Sequence, residues 1–186
     1  MPLKRKFQIL LTIFFSLNLV SQTFHVFENE DVKIELLKPA ISLYDVKNFI
    51  PVIYRVSNKT NEIILIGKNG FIANTSIIYD EDERMVEYKN RRGFDGYPVQ
   101  FEDNECKEYF VKLDKNQSIE MQLGLYKFAT FNFDFNEKKK YWLEVRSIHN
   151  EWTSTLNGCV TFIENEKING AKVLDIYVYK QIPLVK

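Results

Sequence analysis

The segment from Phe49 to Gly67 constrains the fold of this chain more than any other. Two apolar runs, residues 50–56 and 63–66, stand on either side of the polar sequence SNKTNE. The first run is apolar at every second residue and the second is apolar throughout, which is typical of strands in the middle of a packed sheet. A polar turn between two such runs predicts a β-hairpin. We therefore expect these strands to pair with each other and to form the centre of a core that later strands share.

The start of the chain has the layout of a secretory signal peptide. Basic residues at positions 4–6 precede a largely apolar run at residues 7–20, and small and polar residues follow. An uncleaved membrane anchor is the alternative, but this run is shorter than the roughly 20 apolar residues that span a bilayer as a helix. We expect a signal peptide at residues 1–21, a flexible segment at residues 22–30 and a single domain at residues 31–186. The mature protein would lie in an extracytoplasmic space, periplasmic or secreted, with no stable membrane insertion.

Net charge and size narrow the classes of partner. Removal of the signal peptide would take away three of the 25 Lys and Arg residues and none of the 25 Asp and Glu residues, which leaves a net charge of about −3. A chain without a basic surplus has little attraction to phosphate backbones, so we expect no nucleic-acid partner. The remaining residues are enough for one domain with a sizeable core. An extracytoplasmic protein or glycan is the expected partner.

Cys106 and Cys159 are the two cysteines of the chain. Both would follow the signal peptide into a compartment where disulfides persist, and an even count favours a bridge between them. Two buried free thiols are the alternative, because a sequence does not show whether two Cα atoms come within bonding reach. Neither cysteine belongs to a CxxC motif, so redox catalysis and a zinc site have no support.

Alternation of apolar and polar residues recurs along the rest of the chain. Predicted strands separated by short polar turns lie at residues 32–36, 75–79, 85–88, 106–113, 118–123, 141–148, 159–163 and 172–182. Asn169-Gly170, between two β-rich runs, is a strong hairpin signal. No stretch of ten or more residues after the signal peptide has helical periodicity. The chain is therefore predicted to be all-β, an antiparallel two-sheet sandwich of about seven to ten strands, with a barrel as the alternative.

One candidate binding region is the irregular segment at residues 90–105. It contains two glycines, a proline and an arginine pair, and long loops on a rigid scaffold often carry binding residues. Arg92, Phe94 and Tyr97 would form a small recognition patch there. The alternative is a plain crossover between two strands.

The two tryptophans form a second pair of candidates. Trp142 is the one large ring that falls on the polar face of the strand at residues 141–148, and Trp152 falls in the loop that follows. An ordinary structural role is the alternative for each. The aromatic run at residues 124–135 is predicted to face the core, although an exposed platform for stacking is also possible in such a sequence.

The sequence contains no recognisable catalytic or metal-binding motif. It has two histidines, His25 and His149, and lacks HExxH, GxSxG and a glycine-rich phosphate loop. The acidic run Asp80–Glu83 lacks the ligand spacing and central glycine of a calcium loop and is predicted to be a solvated hairpin tip. A carboxylate pair for sugar hydrolysis stays open, because such residues need not be adjacent in sequence. We expect no cofactor, no metal and no catalytic residue.

Three pieces of the chain resemble, in their order, a known group of modules. They are VIYRVSNKT at residues 52–60, LDKNQSIEMQL at residues 113–123 and KKKYWLEV at residues 138–145. An early strand ending in an Asn-containing turn, a strand after a polar turn and a late strand introduced by Tyr resemble bacterial and fungal immunoglobulin-like modules. These include the N-terminal modules of some secreted metalloproteases and small Ig-like proteinase inhibitors. The resemblance covers residues 30–148 and implies an immunoglobulin-like sandwich, but no activity, since no functional motif of those families is present.

Three functional hypotheses follow from these observations. The first is an exported soluble β-sandwich that acts as a non-catalytic binding module for a protein or a glycan. The second is a proteinase inhibitor that presents a loop. The third is a carbohydrate-binding or carbohydrate-active domain, which predicts a cleft lined by Trp142 or Trp152 with carboxylates nearby. Burial of both tryptophans would exclude the third hypothesis.

Overall fold

The computed structural model describes residues 23–48, 50–68, 75–87, 100–123, 133, 135–136, 138–156 and 158–186. Within these ranges the chain forms eleven strands and four short helices. The strands are β1 Phe24–Glu28, β2 Val32–Leu36, β3 Ile41–Ser42, β4 Val52–Asn58, β5 Ile63–Gly67, β6 Thr75–Asp80, β7 Phe110–Leu113, β8 Ser118–Leu123, β9 Tyr141–His149, β10 Ala171–Val173 and β11 Ile176–Val185. The helices are α1 Leu43–Asn48, α2 Asp103–Tyr109, α3 Glu151–Thr155 and α4 Val160–Ile168.

Hydrogen bonding sorts the described strands into three open sheets. Sheet I has the order β1-β2-β4-β8 and is antiparallel throughout. Sheet II has the order β3-β11-β9-β6, in which β3 runs parallel to β11 and the other pairs are antiparallel. Sheet III has the order β10-β5-β7, with β10 parallel and β7 antiparallel to β5. Of the predicted all-β sandwich, the structure confirms a mostly β chain. Purely antiparallel pairing is wrong, because the short strands β3 and β10 join their sheets in parallel.

Sheets I and II share one apolar core. Alternate residues of each strand point into it, among them Val52, Tyr54 and Val56 of β4 and Tyr141, Leu143 and Val145 of β9. Phe133 and Phe135 pack against the same core, as predicted for that aromatic segment, whereas residues 124–132 lie outside the described residues. Each fully buried side chain of this kind contributes about 1.5–3 kcal/mol relative to an exposed one. This burial decides which face of β9 and β11 points outward.

A smaller apolar cluster lies between sheet III and two helices. Its buried residues are Leu65, Cys106, Phe110, Cys159, Phe162 and Ile163. Cys106 on α2 and Cys159, immediately before α4, form a disulfide with an Sγ–Sγ distance of 2.05 Å and a Cα–Cα distance of 5.7 Å. The predicted bridge is therefore confirmed.

The two runs of the segment from Phe49 to Gly67 form strands β4 and β5, but these strands do not pair with each other. β4 lies between β2 and β8 in sheet I, and β5 lies between β10 and β7 in sheet III. Both hydrogen-bonding sides of each strand are therefore taken. Asn58 at the end of β4 donates to the carbonyls of Glu62 and Leu113, which ties the connecting turn to sheet III. The strand positions are correct and the predicted hairpin is wrong.

Two segments predicted as strands contain helix. Residues 106–109 belong to α2, and only residues 110–113 form a strand. Residues 160–163 begin α4, where Phe162 and Ile163 are buried in the smaller cluster. Asn169-Gly170 ends this helix instead of closing a hairpin, and Gly170 has a φ of +88°, the left-handed conformation that glycine supplies at helix ends.

Two further segments differ from expectation in their secondary structure. The segment at residues 22–30, predicted to be flexible, contains β1, which pairs with β2 and buries Val26. The strand predicted at residues 172–182 is divided between β10 and β11, because the chain crosses from sheet III to sheet II at buried Leu174. Residues 1–21 lie outside the described residues, so the signal peptide stays a prediction. None of the described helices is long and apolar enough to cross a membrane.

Candidate functional site

The outward face of sheet II carries a row of exposed aromatic and aliphatic side chains. On β11, Tyr177 and Tyr179 are 53% and 47% exposed, and on β9 Ile148 is 51% exposed. The strand register places Tyr177 directly opposite Ile148 and Tyr179 directly opposite Arg146. Because alternate residues of a strand point to opposite faces, all four side chains lie on one side of the sheet. We call these four residues the tyrosine face.

The buried carboxylate of Glu144 holds part of the tyrosine face in place. The Glu144 side chain is only 4% exposed. Its Oε1 accepts a hydrogen bond from Arg146 Nε at 2.7 Å, and its Oε2 accepts one from the Tyr179 hydroxyl at 3.0 Å. The Arg146 guanidinium also lies 5.7 Å from the centroid of the Tyr179 ring, within range of a cation–π interaction. Because both carboxylate oxygens are paired, the arginine and the tyrosine are held in one geometry.

The same contacts keep the charges of this face constant. The hydrogen bond to Glu144, together with burial, raises the pKa of Tyr179 above its ordinary value. The hydrogen bond to Glu144 also raises the pKa of Arg146. Tyr179 therefore remains a hydrogen-bond donor and Arg146 a cation at every physiological pH.

A cleft of about 380 Å³ opens at the end of the face nearest Trp142. We call it the Trp142 cleft, and its lining residues are Tyr79, Asp80, Glu81, Glu83, Trp142, Glu144 and Gln181. The register places Tyr79 opposite Trp142 and Gln181 opposite Glu144. Trp142 is half-buried. This is the geometry that the carbohydrate hypothesis requires, a cleft lined by Trp142 with carboxylates nearby.

Asp80 organises the turn at the rim of the Trp142 cleft. Its Oδ2 accepts a hydrogen bond from Lys139 Nζ at 2.6 Å, and its Oδ1 accepts from the backbone N–H groups of Asp82 and Arg84 at 3.0 Å each. The chain then returns to bridge Tyr79 through Met85. The predicted turn is confirmed, with residues 81–83 exposed, but Asp80 itself is buried. Of the strand predicted at residues 85–88, the described residues show only the isolated bridge at Met85.

Glu81 and Glu83 complete this rim. Both side chains are exposed, and neither has an ion-pair partner among the described residues. Nowhere in the described residues is a group of three or more His, Cys, Asp or Glu side chains placed to hold a metal ion. Among the residues that the structure describes, the rim therefore has two carboxylates without an ion-pair partner beside two aromatic rings.

The contacts of Asp80 predict an acid-sensitive turn. The Lys139 hydrogen bond, aided by the two backbone N–H groups, holds the pKa of Asp80 below its ordinary value despite burial. A carboxylate of this kind stabilises the folded state fully above its unfolded pKa of about 3.9, and the contribution is lost as pH falls through the lower folded pKa. We expect wild type to lose more stability than Asp80→Asn when urea unfolding is measured at about pH 3 instead of pH 7.

A control for this measurement is Glu108→Gln, which removes an exposed carboxylate on α2. This variant should show the same loss of stability between the two pH values as wild type. If Asp80→Asn also shows the wild-type loss, the Asp80 contacts do not stabilise the folded state and the prediction is wrong.

Trp152 lies away from the Trp142 cleft. It is 68% exposed on α3, where it lines an open depression of about 480 Å³ beside the ion pair of Glu151 and Lys167. Trp142 stands near the start of β9 and α3 follows its end, so about 20 Å of strand backbone lies between Trp142 and the start of α3. The structure therefore does not bring the two tryptophans into one site.

The site differs from the residues that the sequence singled out. Trp142 lies in it, whereas the predicted loop patch of Arg92, Phe94 and Tyr97 lies outside the described residues and stays a prediction. Sequence reasoning missed the tyrosine face. The signal was available in the final strand, IYVYKQIPLV, where Tyr177 and Tyr179 alternate with apolar residues that had to face the core.

No protein-family model, curated protein or solved structure matches this chain. The two features with the clearest chemistry are the tyrosine face and the Trp142 cleft.

Proposed function

We propose that the protein is an exported, non-catalytic binding module with an immunoglobulin-like fold, which contacts a protein partner through the tyrosine face. The adjacent strands β6, β9 and β11 have the order of strands C, F and G in immunoglobulin domains. The Tyr141 hydroxyl at the start of β9 accepts a hydrogen bond from the Asn136 N–H at 2.7 Å, which resembles the tyrosine corner of that fold. The disulfide departs from the antibody pattern, because it lies in the smaller cluster and does not join the two main sheets.

Two observations support export. The first residues have the basic, apolar and polar regions of a signal peptide. The Cys106–Cys159 disulfide is of a kind that persists in oxidising compartments and is rare in a reducing cytosol. Together they favour an extracytoplasmic place of action.

The observation that carries the binding proposal is the exposure of the tyrosine face on a rigid sheet. Tyr and Arg are enriched among the residues that dominate protein interfaces. Tyr offers a large contact area with only two side-chain torsions, and Arg offers a planar group with five hydrogen-bond donors. Glu144 already holds Tyr179 and Arg146, so little side-chain entropy is lost when a partner covers them. Tyr177 and Ile148 lie next to this pair, so the four side chains form one contiguous patch. Contiguous exposed patches mark interaction sites more often than single exposed side chains do.

A glycan is the second candidate for the partner. The observation that favours it is the Trp142 cleft, in which two aromatic rings stand near carboxylates and Gln181. We favour a protein, because the exposed pair of Tyr177 and Ile148 lies outside this cleft and offers mainly apolar surface. The inhibitor hypothesis stays a prediction, since residues 90–99 of the long loop lie outside the described residues.

Affinity capture with matched variants tests the proposal. Purified wild-type protein is immobilised and exposed to the extracytoplasmic fraction of its host, and retained proteins are eluted with salt and identified. We expect one protein to bind wild type and to bind Tyr177→Ser/Ile148→Ser at least about tenfold more weakly, because the centre of the patch becomes polar. Surface plasmon resonance with the purified partner gives the two dissociation constants.

The control variant is Tyr44→Ser/Ile168→Ser, which removes an exposed tyrosine and an exposed isoleucine from helices α1 and α4. It should bind the same partner within about twofold of wild type. Equal binding by the two double variants would contradict the proposal. So would retention of nothing specific, or retention of a ligand that glycosidases destroy and proteases do not.

A further inference from the structure

We propose that the Trp142 cleft binds an organic cation, an alkylammonium or guanidinium group of the kind that ends a lysine or arginine side chain. The proposal rests on the proposed binding function for the biological origin of that cation, because a basic side chain of a partner seated on the tyrosine face would enter the adjacent cleft. A free amine has the same chemistry. The cleft itself supports the proposal through its aromatic wall, its charge and its size.

The aromatic wall consists of two rings from neighbouring strands. Tyr79 on β6 and Trp142 on β9 are direct cross-strand neighbours, so their Cβ atoms are about 5 Å apart and both side chains leave the same face. A cation within about 6 Å of such a ring is attracted by the negative potential of its face, with Trp the most favourable and Tyr next. The wall also excludes water from one side of the bound group, which strengthens that attraction.

Two of the four carboxylates that line the cleft have an ion-pair partner among the described residues, and two do not. Asp80 is neutralised by Lys139, and Glu144 by Arg146. Glu81 and Glu83 line the same cleft without an ion-pair partner in the described residues, so the cleft has about two uncompensated negative charges. A lysine ammonium has three hydrogen-bond donors and an arginine guanidinium has five, and neither has an acceptor. An acceptor-rich, anionic lining therefore matches both groups and repels anions.

The size of the cleft is consistent with the end of a side chain. Its volume of about 380 Å³ lies at the lower limit of ligand sites, which span about 300–1,000 Å³. The cleft and the tyrosine face are adjacent, because Glu144 lines the cleft and accepts hydrogen bonds from Arg146 and Tyr179 of the face. A partner contact and a cation contact can therefore be made together.

The fluorescence of Trp142 provides the test. Trp152 is replaced by Phe so that Trp142 is the single indole, and the purified protein is titrated at low salt with tetralysine amide, tetra-arginine amide and n-butylamine. We expect a saturable change with the cationic probes, and Glu81→Gln/Glu83→Gln should raise the dissociation constant about fivefold or more, because the two unpaired charges are gone. The control Glu108→Gln/Glu164→Gln removes two exposed charges outside the cleft lining and should leave the constant within about twofold.

The probes also distinguish the source of the cation and the alternative ligand. Binding of the peptides but not of butylamine would support a side chain of a protein partner, and comparable binding of butylamine per charge would support a free amine. An equal response to maltohexaose, no response to any cation up to about 10 mM, or equal effects of the two double variants would overturn the proposal. None of these results alters the capture experiment with the tyrosine-face variants, so failure here is distinct from failure of the proposed function.

Discussion

Removal of the Cys106–Cys159 disulfide is expected to lower the free energy of unfolding by about 4 kcal/mol. The bridge joins residues 53 positions apart, and closing a loop of that length removes conformational entropy from the unfolded chain by about this amount in the chain-entropy model. Both cysteines are fully buried, so Cys106→Ala/Cys159→Ala is the preferred variant and adds a small loss of packing. Chemical denaturation followed by circular dichroism measures the change.

The loss should be largest around the smaller cluster. Helices α2 and α4 are seven and nine residues long, and such short helices are held by tertiary contacts more than by their own propensity. Without the bridge, the apolar contacts around Phe110 and Phe162, whose rings lie 5.7 Å apart, would have to hold this part of the structure together. Hydrogen exchange in α2 and α4 should therefore accelerate, while the amides of β4 and β9 in the main core change little below global unfolding.

Reduction supplies the control for this variant. Dithiothreitol added to unfolded wild-type protein should shift its transition to that of Cys106→Ala/Cys159→Ala, and it should not affect the variant. A loss of stability below about 1 kcal/mol, or a variant transition that dithiothreitol still moves, would show that the bridge does not stabilise the domain in this way.

The strands of the main core could be predicted from the sequence because their burial is a local pattern. In β9, Tyr141, Leu143 and Val145 alternate with Trp142, Glu144 and Arg146, and the structure has the first three inward and the others on the opposite face. The pairing of strands was not predictable in the same way. The turn after Asn58 looks like a hairpin turn in sequence, but buried hydrogen bonds from that residue attach it to β7, and β5 consequently enters a different sheet.

Helix α4 was missed because long-range contacts decide it. Residues 159–163 fit a short strand as well as a helix by periodicity, and the choice depends on the disulfide and on the contact of Phe162 with Phe110, a residue far away in the chain. The candidate site was likewise predictable only where it depends on a local pattern. The outward direction of Trp142 follows from alternation, whereas the burial of Glu144 depends on Tyr179 from another strand and the cleft depends on the turn that Asp80 organises.

Replacement of Asn58 by Leu is expected to lower the free energy of unfolding by about 3 kcal/mol. Asn58 is 2% exposed. Its Nδ2 lies 2.7 Å from the Glu62 carbonyl, 2.9 Å from the Leu113 carbonyl and 3.1 Å from the Asp114 carbonyl. Its Oδ1 accepts from the N–H and the hydroxyl of Thr60, each at 2.8 Å. Leucine fills a similar space but leaves these buried groups unpaired, and each costs about 1–3 kcal/mol.

The control is Asn61→Leu, which changes an exposed asparagine in the same turn and should alter stability by no more than about 0.5 kcal/mol. A loss of less than about 1 kcal/mol for Asn58→Leu would show that Asn58 does not hold sheets I and III together.

Asn58→Asp distinguishes the effect of side-chain shape from that of hydrogen-bond donation, because aspartate keeps the size and the acceptor of asparagine but has no N–H for the carbonyls. It should therefore destabilise the protein by a similar amount.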